Sequence, residues 1–160
     1  VGAFDSAMSH LNNSGLRGEL DKLVLEKKIP LLAVCIGMHM LGNSSEEGLS
    51  EGLGYIEGHT VKMPMYVNDS KVLLPHMGWN DINKKDDDAI WKDVNVREGF
   101  YFLHSYEFVP ESKESEIGTS EYEHIFACAV RLSNVYGFQF HPEKSLQNGI
   151  NLLTNFASLK

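Results

Sequence analysis

A cysteine stands where an apolar segment gives way to a helix-compatible one. Cys35 ends the run Ile-Pro-Leu-Leu-Ala-Val-Cys at residues 29–35, and Ile36, Gly37 and Met38 follow. A strand that ends in a nucleophile and continues through glycine into a helix forms an elbow, which lifts the side chain above the sheet. The helix N–H groups then point at the atom under attack, and the helix dipole lowers the pKa of the thiol. The pattern predicts a reactive thiol, with a structural cysteine as the alternative.

A histidine and a glutamate two positions apart could serve such a thiol. They lie in Gly-Phe-Gln-Phe-His-Pro-Glu at residues 137–143. Residues two apart in an extended segment point the same way, so Glu143 can orient the imidazole of His141. Pro142 favours an extended backbone at His141. The alternative is a strand edge that carries a surface histidine and glutamate.

Together these residues match the arrangement of nucleophile, base and orienting carboxylate. The three side chains are far apart in sequence, but catalytic groups of this kind meet in space. The second cysteine, Cys128, lies in the apolar run Ile-Phe-Ala-Cys-Ala-Val and is predicted to be buried and inert. Two cysteines are too few for a disulfide framework, so both are expected to be reduced thiols in a cytoplasmic protein.

The elements that must position these residues alternate between helix and strand. Helical spacing covers residues 3–11 and 16–28, a helix starts at 37, and an apolar stripe follows Ser145 to residue 160. Residues 29–35 read as a buried parallel strand. Further strands are predicted at 60–63, 71–74, 100–109, 125–132 and 135–140, and the charged run 83–88 as a loop. The alternation indicates an α/β fold with an antiparallel element.

Length and composition limit the function further. The 160 residues suit one domain, and 42% hydrophobic with 22% charged residues is typical of a soluble globular protein. The net charge of −8 argues against nucleic acid or anionic lipid as a main partner. No apolar run is long enough to span a membrane, and the start Val-Gly-Ala-Phe does not resemble a signal peptide.

Two runs resemble the signatures of class I glutamine amidotransferases: Val-Cys-Ile-Gly-Met at 34–38 and Gln-Phe-His-Pro-Glu-Lys-Ser at 139–145. Within that family the chain is most similar to the glutaminase subunits of imidazole glycerol phosphate synthase. The likeness runs nearly end to end and in the family's order. It includes Val-Gly-Ala-Phe at 1–4, Ser-Ser-Glu-Glu-Gly at 44–48, Gly-Leu-Gly at 52–54, Pro-His-Met-Gly-Trp-Asn at 75–80 and Tyr-Phe-Leu-His-Ser-Tyr at 101–106.

The resemblance implies a fold and an activity. The fold is the flavodoxin-like three-layer fold of class I glutamine amidotransferases, with a central, mostly parallel sheet and an antiparallel element. The activity is hydrolysis of glutamine to glutamate and ammonia without a cofactor or a metal. The ammonia passes to a (β/α)₈-barrel synthase subunit in a heterodimer.

The resemblance also implies roles for individual residues. Cys35 is the nucleophile, His141 the general base and acid, and Glu143 its orienting carboxylate. The glutamine site includes Val1, Gly2, Gly37, His39, Glu47, Ser105 and Tyr106, with Glu47 on the α-amino group and Ser105 and Tyr106 near the α-carboxylate. The synthase partner is met by Met77, Trp79, Tyr101 and Lys144, although core packing is an alternative for Met77 and Trp79.

The chain departs from the family pattern in two places. His39 stands where the family usually has glutamine, and a histidine differs in shape and can titrate. The family also has about fifty residues ahead of the position of Val1, among them a strand and a helix of the doubly wound sheet. We therefore expect residues 1–160 to be one amidotransferase domain that lacks this front part.

Three functions remain open from the sequence. The first is the glutaminase subunit of histidine biosynthesis. The second is a homologous amidotransferase subunit in surface-polysaccharide synthesis, which makes acetamidino sugars. The third is a non-catalytic scaffold subunit, against which the complete Cys-His-Glu set argues.

Overall fold

The computed structural model describes residues 2–85 and 88–159. The α-helices are α1 (Phe4–Asn13), α2 (Arg17–Asp21), α3 (Ile36–Met40) and α4 (Leu146–Ala157), and a π-helical turn, Lys22–Glu26, continues α2. The strands are β1 (Leu31–Val34), β2 (Ser44–Ser45), β3 (Gly58–Lys62), β4 (Tyr66–Val67), β5 (Ser70–Lys71), β6 (His76–Asn80), β7 (Asn83–Lys84), β8 (Phe100–His104), β9 (Tyr106–Pro110), β10 (Glu116–Tyr122), β11 (His124–Leu132) and β12 (Val135–Phe138). Short 3₁₀ turns lie at Ala89–Trp91, Val96–Glu98, Lys113–Ser115 and Pro142–Lys144.

The largest sheet has five strands in the order β1-β12-β11-β10-β7. Only β1 and β12 pair in parallel, and the other three pairings are antiparallel. The parallel share of the described sheet is therefore smaller than expected. The reason is that β10, β11 and β12 follow one another through links of one and two residues, and such short links join antiparallel neighbours. The predicted antiparallel element thus makes up most of this sheet.

The parallel pair β1–β12 decides where the chemistry lies. Val34 pairs with Phe138, so both strands end at the same edge of the sheet. The chain leaves β1 at Cys35 and leaves β12 toward His141. Adjacent parallel strands thereby bring the two predicted catalytic segments together, although they are far apart in sequence.

Two hydrophobic clusters cover opposite faces of this sheet and give the fold its layers. One cluster joins Phe126, Cys128 and Phe138 to Leu152 of α4. The other joins Ala127 and Val135 to Met38 and Leu41, at α3, and to Val24 of the π-helical turn. The predicted helix–sheet–helix layering follows from the alternation of side chains along β11.

Several predicted elements differ in detail. The strand expected at 100–109 is two strands, since the chain bends at Ser105; β8 pairs with β6, and β9 pairs with β3. Of the strand expected at 71–74, only residue 71 is in a strand, as the last residue of β5. β5 has two residues because its partner β4 also has only two. Within the charged run 83–88, residues 83–84 form β7, and residues 86–87 lie outside the described part.

Candidate active site

The elbow at Cys35 is present. Cys35 has φ +52° and ψ −112°, a conformation that costs a non-glycine residue about 1–3 kcal/mol, and α3 begins at the next residue. Its N–H donates to the carbonyl of Phe138 at 2.7 Å, and its carbonyl accepts from the N–H of Met38 at 2.9 Å. The neighbouring strand and the following helix therefore hold the strained turn, and the thiol faces the carbonyl of Leu103, 3.8 Å away.

The thiol itself is buried, and this corrects one prediction. Burial raises the pKa of Cys35, and the carboxylates of Glu143 and Glu47 add to the rise, while a hydrogen bond from the Ile36 N–H opposes it. The predicted lowering of this pKa by the helix dipole is therefore wrong in its net direction. α3 has only five residues, and its field is smaller than the cost of desolvating a thiolate. A base must consequently take the proton when the sulfur attacks.

His141 and Glu143 form the predicted pair. The Nδ1 atom of His141 lies 2.8 Å from Oε1 of Glu143. Because a carboxylate only accepts hydrogen bonds, Nδ1 carries the proton of the neutral ring and Nε2 carries the lone pair. Nε2 is buried and has no hydrogen-bond partner among the described residues. A free, buried lone pair of this kind suits a general base.

The segment around His141 is extended only at the histidine. His141 has φ −104° and ψ 94°, as the following proline favours, but Pro142–Lys144 is a 3₁₀ turn and not a strand edge. The N–H of His141 donates to the carbonyl of Tyr101 at 2.8 Å. Ser145 precedes α4, but its side chain does not cap this helix: the hydroxyl donates to the carbonyl of His141 and accepts from the N–H of Tyr101.

A small pocket opens beside the thiol. Its volume is about 240 Å³, below the roughly 300–1,000 Å³ typical of sites for drug-sized ligands, so it suits a molecule the size of an amino acid. It is lined by Gly2, Cys35, Ile36, His39, Glu47, Pro75, Leu103, His104, Ser105 and Tyr106. A larger depression of about 910 Å³ around Tyr55 and Arg131 contains none of the predicted site residues.

Most residues predicted for the glutamine site line this pocket, namely Gly2, His39, Glu47, Ser105 and Tyr106. Gly37 does not line the pocket, whereas its neighbour Ile36 does. Val1 falls outside the described residues. His141 and Glu143 stand at the same sheet edge as Cys35 but do not line the pocket.

A carboxylate is held ready at one side of the pocket. Glu47 accepts the N–H of Phe4 at 3.1 Å, so α1 and the loop after α3 meet there. Asp5 accepts the N–H groups of Leu49 and Ser50 and thereby fixes the same loop, and these bonds lower its pKa. The position of Glu47 would let it receive an ammonium group.

His39 is buried and hydrogen-bonded within the protein. Its Nε2 lies 2.7 Å from Oε1 of Gln139, and burial lowers its pKa, so the ring is neutral near pH 7. Gln139 was missed in the sequence, as were His104 and Leu103. The spacing offered a signal, because Gln139 and His141 are two residues apart in a segment predicted to be extended and would share a face there. In the structure β12 ends at Phe138, and residues 139–140 form a bend.

The residues predicted to meet a partner are accessible. The side chains of Met77 and Trp79 are 64% and 49% exposed, which excludes the alternative that they belong to the core. Trp79 packs edge-on against Tyr101, and the Lys144 ammonium lies 5.6 Å from the centre of the Tyr101 ring. Tyr101 also carries the carbonyl that binds the N–H of His141, so this surface adjoins the catalytic pair.

The remaining features concern other site types. Cys128 is fully buried with a strongly raised pKa, as predicted for an inert thiol. Within residues 2–85 and 88–159, no three side chains of His, Cys, Asp or Glu are grouped to hold a metal ion. In the same ranges, none of the helices has the length and apolar character needed to cross a bilayer.

Known proteins are similar to this chain in sequence and in fold. The model of the class-I glutamine amidotransferase family matches residues 9–158. A protein of Leptospira borgpetersenii named imidazole glycerol phosphate synthase subunit HisH is 46% identical over 159 residues, which are 99% of this chain and 78% of the relative. Relatives of the same name in Bdellovibrio bacteriovorus and Moorella thermoacetica are 43% and 38% identical, with 99% of this chain covered in each and 78% and 73% of the relative.

Solved structures agree on the fold. A glutamine amidotransferase of Thermotoga maritima superposes with a TM-score of 0.59 at 18% identity, over 97% of this chain and 59% of that one. A putative GMP synthase protein of Thermoplasma acidophilum gives the same score at 17% identity, over 88% and 61%. The predicted fold class is confirmed, and the chain belongs to the class I glutamine amidotransferase family.

Proposed function

We propose that this chain is the glutaminase subunit of an imidazole glycerol phosphate synthase in histidine biosynthesis, with Cys35, His141 and Glu143 as its catalytic residues. One observation carries the proposal. Glu143 holds the His141 ring at 2.8 Å, and Nε2 of this ring has no partner among the described residues. His141 lies just after β12, and Cys35 lies just after β1, the parallel neighbour of β12. The names of the relatives from Leptospira and Bdellovibrio support the choice of pathway.

The reaction proceeds through a thioester. The Cys35 thiol gives its proton to Nε2 of His141, and the sulfur attacks the side-chain amide carbon of glutamine. Backbone N–H groups at Gly2 and the start of α3 stabilise the oxyanion. The imidazolium then protonates the leaving ammonia. His141 next takes a proton from water, which hydrolyses the thioester and releases glutamate.

Glutamine is bound by its two charged ends. Glu47 receives the α-ammonium group, and Ser105 and Tyr106 lie near the α-carboxylate. Gly2 lies at the pocket, where its backbone can face the reacting amide, and the family resemblance assigns the same task to Gly37; His39 lines the pocket. The pocket of about 240 Å³ and the carboxylate already fixed at its side support this assignment.

The ammonia is consumed by a partner protein. Free ammonia is protonated near neutral pH and is then a poor nucleophile, so direct transfer is needed. The partner is a (β/α)₈-barrel synthase subunit that forms a heterodimer with this chain. Met77, Trp79, Tyr101 and Lys144 make the contact. The exposure of Met77, Trp79 and Lys144 supports this, as does the hydrogen bond from His141 to the half-buried Tyr101.

The same chemistry would serve surface-polysaccharide synthesis, but the relatives described above are not named for it. A scaffold without activity would not need Nε2 of His141 to be buried and without a partner in residues 2–85 and 88–159. We also propose that residues 1–160 form one amidotransferase domain. The match of the family model to residues 9–158 supports this.

Replacing the nucleophile tests the proposal. In the complex with the synthase partner, Cys35→Ala should abolish synthesis with glutamine as nitrogen donor. Synthesis from added ammonia should stay within about twofold of the parent, because the partner performs the later step. Cys128→Ala is the matched control and should keep both reactions. Loss of the glutamine reaction in Cys128→Ala and not in Cys35→Ala would overturn the assignment.

A further inference from the structure

Three side chains form a polar chain that ends at the thiol. Nε2 of His39 lies 2.7 Å from Oε1 of Gln139, and Nε2 of Gln139 lies 4.0 Å from Sγ of Cys35. Gln139 and His39 are both buried, in an interior that is otherwise apolar around Phe138 and Phe140. A buried amide keeps only those hydrogen bonds that its neighbours can supply. The amide of Gln139 therefore has two partners, the imidazole and the sulfur.

The orientation of this amide is coupled to the tautomer of His39. When His39 carries its proton on Nε2, it donates to Oε1 of Gln139, and the NH₂ group faces the sulfur. When the proton is on Nδ1, the amide turns over, NH₂ donates to His39, and the oxygen faces the sulfur. The first arrangement favours a thiolate, which accepts hydrogen bonds, and the second favours a thiol, which donates one.

The surroundings of Cys35 make such a donor valuable. Desolvation and the carboxylates of Glu47 and Glu143 all oppose a charge on the sulfur, and the Ile36 N–H favours it. The thiol hydrogen of the resting state points toward the carbonyl of Leu103, 3.8 Å away, which can only accept. Once that hydrogen has left, Leu103 offers nothing to the sulfur, and Gln139 is the buried side-chain donor beside it.

We propose that Gln139 is a positioning residue for the Cys35 thiolate and that His39 holds the Gln139 amide with its NH₂ group toward the sulfur. This rests on the proposed function, since it takes Cys35 as the nucleophile. It also changes the role of His39, which acts through Gln139 and the sulfur and not through direct contact with glutamine. A glutamine at position 39, the usual family residue, also has an NH₂ donor that can reach Oε1 of Gln139.

The test is the pH dependence of Cys35 alkylation by iodoacetamide in the native-length protein, without glutamine. Mass spectrometry of the peptide that contains Cys35 gives the rate, and buried Cys128 serves as an internal reference. Gln139→Met removes the donor at similar length and should raise the thiol pKa by about one unit, which is about tenfold less thiolate at neutral pH. Gln147→Met, at an exposed glutamine of α4, should leave the profile unchanged.

Position 39 supplies a second measurement that does not depend on the folding of Gln139→Met. His39→Leu should shift the profile in the same direction, because the freed amide can turn its oxygen to the sulfur. His39→Gln should restore the parent profile. The groups that face the thiol from the surrounding elements, His104, His141, Glu47 and Glu143, are the same in every variant. If His39→Leu and His39→Gln both titrate like the parent, the proposal is wrong.

Because no glutamine is present, this experiment can fail while the glutaminase assignment stands. In the reverse case, a protein that alkylates as expected but does not hydrolyse glutamine would keep the positioning role and lose the proposed function. Thermal unfolding of each variant identifies those that have lost the fold, and these are left out of the comparison.

Discussion

At the residue scale, the proposed site combines a thiol with a raised pKa and a histidine whose Nε2 can accept the thiol proton. The pKa of Cys35 is raised because burial and two carboxylates oppose the thiolate. A permanently charged sulfur would attack adventitious electrophiles, whereas a protonated thiol becomes reactive only when His141 accepts its proton. Glu143 decides which ring nitrogen accepts the thiol proton. It keeps the hydrogen of the neutral ring on Nδ1, so the lone pair that accepts is on Nε2.

Removing the orienting carboxylate should slow the reaction without abolishing it. General acid–base catalysis is worth roughly 10²–10⁴-fold in rate. Glu143 is 53% exposed, so water can take its place at Nδ1. We therefore expect Glu143→Ala to lower kcat about 10²-fold, at the lower end of that range, with KM within about threefold.

The matched control is Glu111→Ala, which removes an exposed carboxylate outside the site. Steady-state glutaminase rates with the partner present measure both variants. A parent-like kcat for Glu143→Ala would mean that another group orients His141.

The proposed catalytic residues could be singled out from the sequence because each stands in a recognisable local pattern. The elbow at Cys35 needed only an apolar strand and a following glycine, and His141 and Glu143 needed only their spacing. The pKa of Cys35 could not be predicted, since it depends on burial by β8 and on carboxylates from distant segments. The pair of His39 and Gln139 was also hidden, because 100 positions separate the two residues.

At the element scale, the site depends on how closely α4 approaches the turn that carries Glu143. An added Cβ at Gly149 would lie 1.7 Å from the carbonyl oxygen of Pro142. No side chain fits at that distance, so the close approach requires glycine. The N–H of Gly149 also binds the carbonyl of Ser145, whose hydroxyl holds His141.

Gly149→Ala should therefore destabilise the protein and slow catalysis together. Overpacking costs about 1–3 kcal/mol, and relief would move the Pro142–Lys144 turn away from His141. The control is Gly18→Ala in α2, where an added Cβ meets nothing within 4 Å. That change should be neutral or stabilising by about 0.5–1 kcal/mol. Denaturant unfolding and kcat decide, and equal stability of the two variants would contradict the packing argument.

A second element-scale feature is the histidine ladder between β6 and β8. His76 pairs with His104, and their rings meet through Nδ1 of His76 and Nε2 of His104 at 2.9 Å. His104 donates from Nδ1 to the carbonyl of Tyr106, and Nε2 of His76 lies 3.3 Å from the amide nitrogen of Asn80. The bond between the two rings and the bond from Asn80 each need an unprotonated ring nitrogen as acceptor, so they are complete when both rings are neutral. Burial lowers the pKa of His76 to about 4 and that of His104 to about 3.

These depressed values predict acid sensitivity. The two histidines take up protons near pH 6.5 in the unfolded chain but not in the folded one. Their contribution to the free energy of unfolding is therefore fully present above pH 6.5. It is lost as the pH falls toward 4, by about 1.4 kcal/mol per pH unit for each histidine. We expect the unfolding free energy of the parent to fall between pH 6 and pH 5, and His76→Gln to remove about half of the ladder's share of that slope.

The control for this titration is His59→Gln, which replaces an exposed histidine of β3. Urea unfolding between pH 7 and pH 5 stays above the range in which most carboxylates titrate. If His59→Gln flattens the slope as much as His76→Gln does, the ladder is not its source.

Most elements followed from periodicity, but their partners did not. Alternation predicted one strand at residues 100–109, and the bend at Ser105 sends its two halves to different sheets. The carbonyl of Ser105 accepts the N–H of Met63, a contact 42 positions away that no local pattern reports. The helix at 16–28 was predicted as regular, yet its second half is a π-helical turn.

At the scale of the whole molecule, the buried His141 adjoins a surface on which the apolar side chains of Met77 and Trp79 are exposed. Tyr101 connects His141 to this surface, because its carbonyl accepts the N–H of His141 and its ring packs against Trp79. Lys144 follows Glu143 directly and lies over the same ring. A partner that presses on Trp79 or Tyr101 can therefore shift the base. Under the proposed function, this arrangement would connect binding of the synthase partner to the rate of glutamine hydrolysis.

Trp79→Ala should weaken that connection without unfolding the protein. Aromatic residues at the centre of an interface commonly contribute about 2 kcal/mol or more, which is about 30-fold in Kd. We expect a loss of this order in affinity for the synthase partner, and a lower glutaminase kcat at saturating partner because Tyr101 loses its neighbour.

Tyr66→Ala is the control: Tyr66 is 63% exposed but lies on the β4–β5 hairpin, so the affinity and kcat of this variant should stay within about twofold of the parent. Isothermal titration and steady-state kinetics measure the two effects. Equal losses in both variants would show that the interface is not centred on Trp79, and an unchanged kcat for Trp79→Ala at saturation would show that the contact serves binding alone.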